Sequence, residues 1–443
     1  MQNDLTKGNV YHKIILFTLP ILASNLLQQL YSIADSTIVG RVLGSEALAA
    51  VGASYQISSI ILAVAMGLTL GMGILISNAY GAKQQYAIQK IVDTGLIMCM
   101  LLAIIITIAG VGNAEKILRM FQIPENILAQ AALYFRIICI GTIPSFMYNA
   151  VVNYLRGMGD SKTALLFLLI SSTLNIILDI LLVAAIPMGI AGAAIATVFS
   201  QFVAFIGICM YVNRKEDLFR IHFIHLSFDR EILKQGLVIG IPATLQQLFI
   251  GIGNSIIQYM INGYGATMIA AYTAASKIDG MAVLPAINIG KAMSNFIAQN
   301  KGANDEERVK AGTKASVLMV SAISLFLSVI IFSMSDMLLK MFCSDEAVRM
   351  EGTRYLHIVS VFFLFFGIMQ CLNGILLGMG KSNLSLAGSI LSFCVFQVPL
   401  AVVLSKFIGV LGIWLAAPLG WIAGLVLRIL FLWRSSKCSA NKE

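Results

Sequence analysis

The sequence Leu118-Arg119-Met120-Phe121 returns near the end of the chain as Leu339-Lys340-Met341-Phe342. The two stretches lie 221 residues apart in a chain of 443 residues. Further matches at this offset are Gly157-Met158-Gly159 with Gly378-Met379-Gly380, Gly81-Ala82 with Gly302-Ala303, and Tyr134 with Tyr355. Agreement at one constant offset indicates an internal duplication. The sequence therefore predicts two homologous halves, residues 1–220 and residues 221–443.

The composition is that of a membrane protein. Hydrophobic residues make up 58% of the chain and charged residues only 12%, whereas soluble domains carry about 25% charged residues. Apolar runs of about 20 residues, long enough to cross a bilayer as a helix, recur along the whole chain. This excludes an ordinary water-soluble enzyme.

Hydropathy and turn residues predict an all-α polytopic membrane protein with twelve transmembrane helices in two pseudo-symmetric six-helix bundles. The predicted spans lie at residues 13–38, 48–79, 92–112, 129–154, 162–185, 189–212, 233–259, 266–298, 313–335, 354–377, 384–406 and 409–433. An even number of spans per half gives both halves the same orientation, which is the plan of parallel-repeat transporters. Channels are also built by duplication, so this plan favours a transporter without excluding a channel.

The basic residues are explained by membrane topology. With both termini in the cytoplasm, most Lys and Arg residues fall in cytoplasmic segments, as the positive-inside rule requires. The net charge of +9 therefore does not indicate nucleic-acid binding. We expect a multi-pass protein of the cell (inner) membrane, in contact with lipid and monomeric.

Chemistry other than transport finds little support in the sequence. The seven cysteines and four histidines have neither disulfide nor zinc spacing. Gly378-Met-Gly-Lys381-Ser382 resembles the end of a phosphate-binding loop, but its leading glycine would be residue 375, which is Ile. We expect no enzyme activity, no cofactor and no resident metal.

Among the aspartates inside predicted spans, three call for a functional reason: Asp35, Asp179 and Asp279. A carboxylate at the bilayer centre costs about 2.5 to 3.5 kcal/mol on insertion scales, so it is functional by default. Residues four apart share a helix face, which places Asn175 beside Asp179. The same spacing relates Asn149 to Asn153 and Ala193 to Thr197. These groups could line one oxygen-rich pocket in the first half.

Two carboxylates in one poorly solvated pocket cannot both ionise cheaply, so Asp35 and Asp179 are expected to share a proton or to bind Na⁺. At the offset of 221 residues they meet Ile256 and Leu400. The acids are thus confined to the first half, as expected of a coupling site added to a symmetric scaffold. The alternative is that they are packing residues satisfied by neighbouring amides and hydroxyls.

A second polar site is predicted in the second half, at Lys277, Asp279 and Gln247. Such a site could bind substrate or relay protons, but Lys277 and Asp279 could equally form a local ion pair. Pro20 lies on the same predicted helix as Asp35 and could let protonation change a bend in that helix. An ordinary fixed kink is the alternative.

Several stretches resemble the multidrug and toxic compound extrusion (MATE) family. They are Leu19-Pro20, Asp35-Ser-Thr-Ile-Val-Gly40, Ala47-Leu-Ala-Ala, Leu155-Arg-Gly-Met-Gly-Asp160-Ser-Lys, and Ser294-Asn-Phe-Ile-Ala-Gln299-Asn-Lys-Gly. The resemblance covers essentially the whole chain. It implies secondary active efflux of drugs or toxic organic cations against H⁺ or Na⁺, by alternating access between two lobes.

The resemblance also implies a cation-coupling site at Asp35, Asn175, Asp179 and Thr197, with Asn149 and Ala193 nearby. The coupling ion is H⁺, or Na⁺ held by the first four residues. One branch of the family uses a glutamate in the seventh span and an aspartate in the tenth. Here the seventh span has Gln246-Gln247 and the tenth has Gln370 and Asn373, which places second-lobe coupling of that kind in doubt.

A flippase for lipid-linked saccharides is the alternative function, because it would share the duplicated helices. Such a protein is expected to line its cavity with several arginines and lysines for the pyrophosphate. The first half is acidic instead, with Arg136 as the basic residue inside its spans.

Overall fold

The computed structural model describes residues 4–215, 219–222 and 225–440. The described residues are almost entirely helical and contain no strand. The α-helices are α1 (Val10–Leu43), α2 (Ser45–Gly81), α3 (Gln85–Met120), α4 (Glu125–Ile140), α5 (Thr142–Gly157), α6 (Ser161–Asp179), α7 (Ile190–Lys215), α8 (Arg230–Asn262), α9 (Ala266–Gly302), α10 (Glu306–Lys340), α11 (Glu346–Ser360), α12 (Phe363–Gly378), α13 (Ser382–Ile390), α14 (Val398–Ile408) and α15 (Val410–Ala440). Two π-helical segments, Ile180–Ala185 and Leu391–Gln397, continue α6 and α13.

Ten helical stretches in the described residues are long and apolar enough to cross a membrane, and two bent helix pairs raise the number to twelve. The bent pairs are α4 with α5 and α11 with α12. The predicted all-α fold with twelve spans is confirmed. The two bends were not predicted, since residues 129–154 and 354–377 were each expected to form one continuous span.

The described residues group into two compact units. Of the described residues, the first unit comprises Asp4 and those of Leu19–Thr244, and the second comprises Leu5–Thr18 and Leu245–Ala440. The predicted halves divide the chain by its sequence repeat, whereas these units divide it by contacts. Helices α1 and α8 each contribute residues to both units.

The turns repeat at the same offset as the sequence. Gly44 and Gly265, which precede α2 and α9, have φ angles of 87° and 90°. Lys83 and Asn304, which follow α2 and α9, have φ angles of 57° and 55°. Left-handed backbone at matching positions starts and stops the helices of both units in the same register. The duplication seen in the sequence is therefore also present in the backbone.

The bends repeat as well, and each is stabilised by a hydroxyl from a neighbouring helix. In the first unit α4 and α5 meet at 48°, and Thr107 Oγ1 donates to the Cys139 carbonyl at 2.8 Å. In the second unit α11 and α12 meet at 54°, and Ser328 Oγ donates to the Ser360 carbonyl at 2.7 Å. Both pairs are related by the offset of 221 residues. A carbonyl freed by a bend inside a membrane must find a new donor, which these hydroxyls supply.

Close backbone packing is repeated at one glycine in each unit. A Cβ atom at Gly157 would clash with the carbonyl oxygen of Gly73 on α2. A Cβ atom at Gly378 would clash with the carbonyl oxygen of Ser294 on α9. Small residues let membrane helices approach this closely, and packing rather than a hydrophobic driving force holds them together.

Between α7 and α8 the sequence predicts a polar connector that could contain an interfacial amphipathic helix. Its described residues, 219–222 and 225–229, are not helical. Asn213 holds this segment by accepting from the Ile221 amide at 2.7 Å and donating to the Ile221 carbonyl at 3.0 Å. Residues 216–218 and 223–224, which the prediction also covered, lie outside the described residues.

Candidate functional site

The first-unit site begins on α1, where Tyr31 and Asp35 lie one helical turn apart and therefore share a face. Asp35 is half-buried. Its Oδ1 atom is buried and receives no hydrogen bond from a neighbouring residue in the described part of the chain. Helix α1 thus presents a tyrosine and a poorly satisfied carboxyl group within the first unit.

Helix α6 presents the second acid at its last residue, Asp179, with Asn175 one turn earlier. Asp179 is 0% exposed and Asn175 is 1% exposed. The helix then widens into the π-helical segment Ile180–Ala185. Such segments are frequent at functional sites, because they leave backbone groups outside the regular helical ladder.

The side chains of Asp35 and Asp179 lie close enough to interact directly. An ionised carboxylate has no hydrogen to donate, so a hydrogen bond between two carboxyl groups needs at least one proton. The pair is therefore suited to hold a proton between α1 and α6.

Asn175 fixes the position of the second acid through its amide. In the orientation that satisfies both ends of the amide, its nitrogen donates to Asp179 Oδ2 at 2.7 Å. Its oxygen then accepts from the Thr197 backbone N–H at 3.0 Å and from Thr197 Oγ1 at 3.3 Å. The amide oxygen is thereby turned away from the acids and toward α7.

Thr197 and Ala193 complete the network on α7. Thr197 Oγ1 lies 3.1 Å from the Ala193 carbonyl, one turn earlier. Tyr31 Oη lies 3.4 Å from Thr197 Oγ1 and so links α1 to α7. Tyr134 on α4 is an electrostatic neighbour of both acids. Helices α1, α4, α6 and α7 thus converge on the acid pair.

Asn149 is not joined to the acids by a hydrogen bond in the described structure. Its side-chain nitrogen donates to the Ser145 carbonyl on its own helix at 2.8 Å. Asn153, on the same helix, donates to Thr69 on α2 at 2.9 Å. The structure therefore brings together Asp35, Asn175, Asp179, Thr197 and Ala193, while Asn149 bonds elsewhere.

Pro20 lies inside α1, fifteen residues before Asp35. Proline has no N–H to donate, which leaves a carbonyl of the preceding turn without its helical partner. Ser24 Oγ donates to the Pro20 carbonyl at 2.7 Å. Serine bonding back to the preceding turn bends helices slightly, so two adjacent features favour a bend at this position.

The second-unit residues predicted as a polar site do not form one cluster. Lys277 and Gln247 are exposed. Asp279 is half-buried and accepts a hydrogen bond from Tyr355 Oη on α11 at 3.2 Å. No ion pair among the described residues joins Asp279 to Lys277.

A different polar cluster lies in the second unit, around Arg428 on α15. Gln246 donates to Ser389 Oγ at 2.8 Å and to Asn373 Oδ1 at 3.2 Å. Arg428 is 2% exposed and donates to Ser389 Oγ at 2.8 Å and to the Gly424 carbonyl at 3.0 Å. The guanidinium is also within 3.3 Å of Asn373 Oδ1. It has only neutral acceptors among the described residues.

Tyr31, Tyr134 and Arg428 were missed in the sequence. Tyr31 could have been found from its four-residue spacing to Asp35, and Tyr134 from its repeat partner Tyr355. Arg428 gave no such signal, since its side-chain partners Ser389 and Asn373 lie 39 and 55 residues away on other helices. No group of three or more His, Cys, Asp and Glu residues within the described chain could hold a metal ion.

The family model described as MatE matches the chain twice, over residues 20–181 and residues 242–403. The chain belongs to the MatE family. The two matches cover corresponding parts of the two repeats, in agreement with the duplication. The expected resemblance is confirmed, and the MatE chain is a multi-pass membrane protein.

The MatE chain is similar to proteins of this family over its whole length. It is 30% identical over 431 residues to the probable multidrug resistance protein YoeA of Bacillus subtilis (strain 168), which covers 95% of this chain and 93% of that protein. A solved outward-facing conformation of a multidrug resistance MATE family transporter of the MOP superfamily has a TM-score of 0.91 at 25% identity, covering 100% and 99%. A crystal structure of MATE in the bent conformation has a TM-score of 0.92 at 24% identity, covering 100% and 98%.

Proposed function

We propose that this chain is a secondary active multidrug exporter that exchanges an organic cation for a proton bound between Asp35 and Asp179. The single observation that carries this proposal is the close approach of two carboxyl groups, one on α1 and one on α6. The relatives support the export of drugs, since YoeA is named a probable multidrug resistance protein. The substrates would be cationic amphipathic compounds.

The acid pair suits proton exchange because its two charge states differ strongly in cost. Two ionised carboxylates at hydrogen-bonding distance repel each other, and Asp179 is fully buried. One bound proton removes most of this repulsion. Loss of the proton would favour a rearrangement of α1 against α6, so the ion gradient can bias the conformation of the transporter.

The orientation of Asn175 favours a proton over Na⁺. A sodium ion between the acids would need oxygen ligands directed toward it. The amide of Asn175 directs its nitrogen toward Asp179, while its oxygen accepts two hydrogen bonds from Thr197. A Na⁺ site at Asp35, Asn175, Asp179 and Thr197 would require this amide to rotate and break those bonds.

The transport cycle proposed here is alternating access, with Pro20 as the position where α1 bends when the acid pair changes its proton content. Ser24 favours a bend at the same place, because its hydroxyl bonds the Pro20 carbonyl one turn earlier. We further propose that the protein acts as a monomer in the cell membrane with both termini in the cytoplasm, as the charge distribution predicts.

The flippase alternative is not favoured. It called for several basic residues directed toward a pyrophosphate. Arg136 pairs with Glu115 at 2.9 Å, and Arg428 is buried among neutral acceptors. Neither guanidinium is therefore available to a lipid-linked phosphate.

Reconstitution into proteoliposomes tests the function. A fluorescent organic cation should be transported when a proton gradient is imposed and should not be transported when an equal Na⁺ gradient replaces it. Transport driven by Na⁺ alone would overturn the choice of ion. Scrambling of a lipid-linked saccharide without cation transport would establish the flippase instead.

A further inference from the structure

The repeated tyrosine lies beside a carboxyl group in both units. Tyr134 on α4 neighbours Asp35 and Asp179, while its repeat partner Tyr355 on α11 bonds Asp279. The acids themselves are not related by the repeat. Asp35 and Asp179 come from α1 and α6, whereas Asp279 comes from α9. Tyr355 bonds its carboxyl group directly, whereas Tyr134 interacts with Asp35 and Asp179 through their charge.

The surroundings of Asp279 satisfy only part of its carboxyl group. Oδ2 accepts the single hydrogen bond from Tyr355, at 3.2 Å. Oδ1 is buried and has no hydrogen-bond partner in the described part of the chain. A buried oxygen left without a donor costs about 1 to 3 kcal/mol, and more when it carries charge. The ionised form is therefore expensive in this structure.

Aromatic side chains pack against the ring of Tyr355. The ring of Tyr272 meets the ring of Tyr355 edge to face with centroids 5.4 Å apart, and Trp414 does so at 5.9 Å. Ala275 and Ile278, close to Asp279 on α9, are buried. None of these groups carries a charge that could compensate the carboxylate.

No basic side chain within the described residues neutralises Asp279. The titratable groups that face it are Tyr272 on its own helix and Tyr355 on α11. The nearest charged residues of α11 pair with each other, since Arg354 lies 2.9 Å from Glu351. The described residues of α10 and α12 contribute no charged group to this carboxyl.

We propose that Asp279, positioned by Tyr355, is a second proton-binding site of the exporter, located in the second unit and exchanging its proton during transport. A proton requires no cavity and no further ligand, and it removes the charge that the surroundings do not compensate. This inference rests on the proposed proton-coupled function. It assigns the second unit a titratable site that differs from the amide and arginine cluster around Arg428.

Infrared difference spectroscopy between acidic and alkaline conditions tests the site on the purified, reconstituted full chain. A carboxylic acid that gains and loses a proton gives a carbonyl band separate from that of a carboxylate. The comparison uses the wild type, the variant with Asp35→Asn and Asp179→Asn, and the variant that adds Asp279→Asn. This measurement does not require transport, so it remains informative if the proposed function fails.

The chain contains 21 Asp and Glu residues, so the signal of Asp279 is the difference between the spectra of the two variants. The acid band of the variant with Asp35→Asn and Asp179→Asn should lose one component when Asp279→Asn is added. Tyr355→Phe should shift the frequency of that component, because carbonyl frequency depends on hydrogen bonding at the carboxyl group. If the acid bands of the two variants are the same, the proposal is wrong.

Transport stoichiometry gives the second measurement. Asp279→Asn should halve the number of protons exchanged per organic cation while leaving export driven by the proton gradient. Asp336→Asn is the matched control, because Asp336 is an exposed acid of the same unit that pairs with Lys340 and Arg349. An unchanged proton count in Asp279→Asn would overturn the coupling role of this site.

Discussion

The two units have the same arrangement of helices but bury different charged groups. The first unit buries an acid pair, Asp35 and Asp179, whereas the second buries the guanidinium of Arg428 among neutral groups. At the repeat offset the acids meet Ile256 and Leu400, and Arg428 meets Gly207. Turns, bends and close helix contacts therefore follow the duplication, while the polar interiors do not. The helix arrangement of the fold is duplicated, whereas the buried charged groups are different in each unit.

The largest effect should follow from breaking the acid pair of the first unit. Asp35→Asn or Asp179→Asn should abolish export driven by a proton gradient, because neither variant can exchange a proton between two carboxyl groups. Export from proteoliposomes should fall to the level of protein-free liposomes, with the variant still folded by circular dichroism.

Exposed Asp336→Asn is the control, and it should keep near wild-type export. If either first-unit variant exports normally when a proton gradient is imposed, the acid pair does not couple export to protons.

The next effect concerns the buried cation of the second unit. Arg428→Met should destabilise the protein by about 2 to 4 kcal/mol, because Asn373, Ser389 and Gly424 each lose a hydrogen bond from a charged donor inside the membrane. Thermal unfolding in detergent measures this loss.

Arg434→Met provides the control on the same helix, since Arg434 is exposed. Equal stability of both variants would show that Arg428 does not hold α15 to its neighbours. We expect proton coupling to depend on the acids and not on Arg428. Loss of proton-driven export in a well-folded Arg428→Met protein would contradict that expectation.

Much of this helix arrangement could be predicted from the sequence. Long apolar runs and the constant repeat offset specify the number of spans, since few other structures satisfy backbone groups in lipid. The bend at Phe362 has no proline beside it, whereas the bend at Gly141 lies three residues before Pro144. At each bend a carbonyl bonds a hydroxyl on another helix, Thr107 or Ser328, and no local pattern reveals such a contact.

The sites were predictable to different degrees. The spacing of Asn175 and Asp179 places both on one helix face, but their contact with Asp35 spans 144 positions and was implied by the family resemblance. The same holds for Arg428, whose partners on other helices give no spacing signal. The predicted grouping of Lys277, Asp279 and Gln247 joined residues whose side chains face different surroundings.

The two repeated bends can be compared directly, and the expected loss of stability at each is smaller than for Arg428→Met. Ser328→Ala should cost about 1 to 2 kcal/mol of stability, because the Ser360 carbonyl loses its donor. Thr107→Val should cost less, since Thr142 Oγ1 also donates to the Cys139 carbonyl at 2.7 Å. Thermal unfolding of the two variants compares the bends, and a greater loss in Thr107→Val would contradict this ordering.

The smallest effect is expected at the edge of the first-unit site. Tyr31→Phe removes only the 3.4 Å contact with Thr197 Oγ1. A long hydrogen bond contributes about 0.5 kcal/mol or less, so export should change by less than about threefold. Initial rates of proton-driven export measure the change, and complete loss of export would assign Tyr31 a direct role in proton transfer.

The central claim is that the first-unit acid pair holds a proton that the organic cation displaces. The direct measurement is proton release from the purified protein, in weakly buffered solution, on addition of an organic cation that it exports. We predict release by the wild type and loss of at least half of that release when Asp35→Asn and Asp179→Asn are combined. Full release by the combined variant would contradict the account.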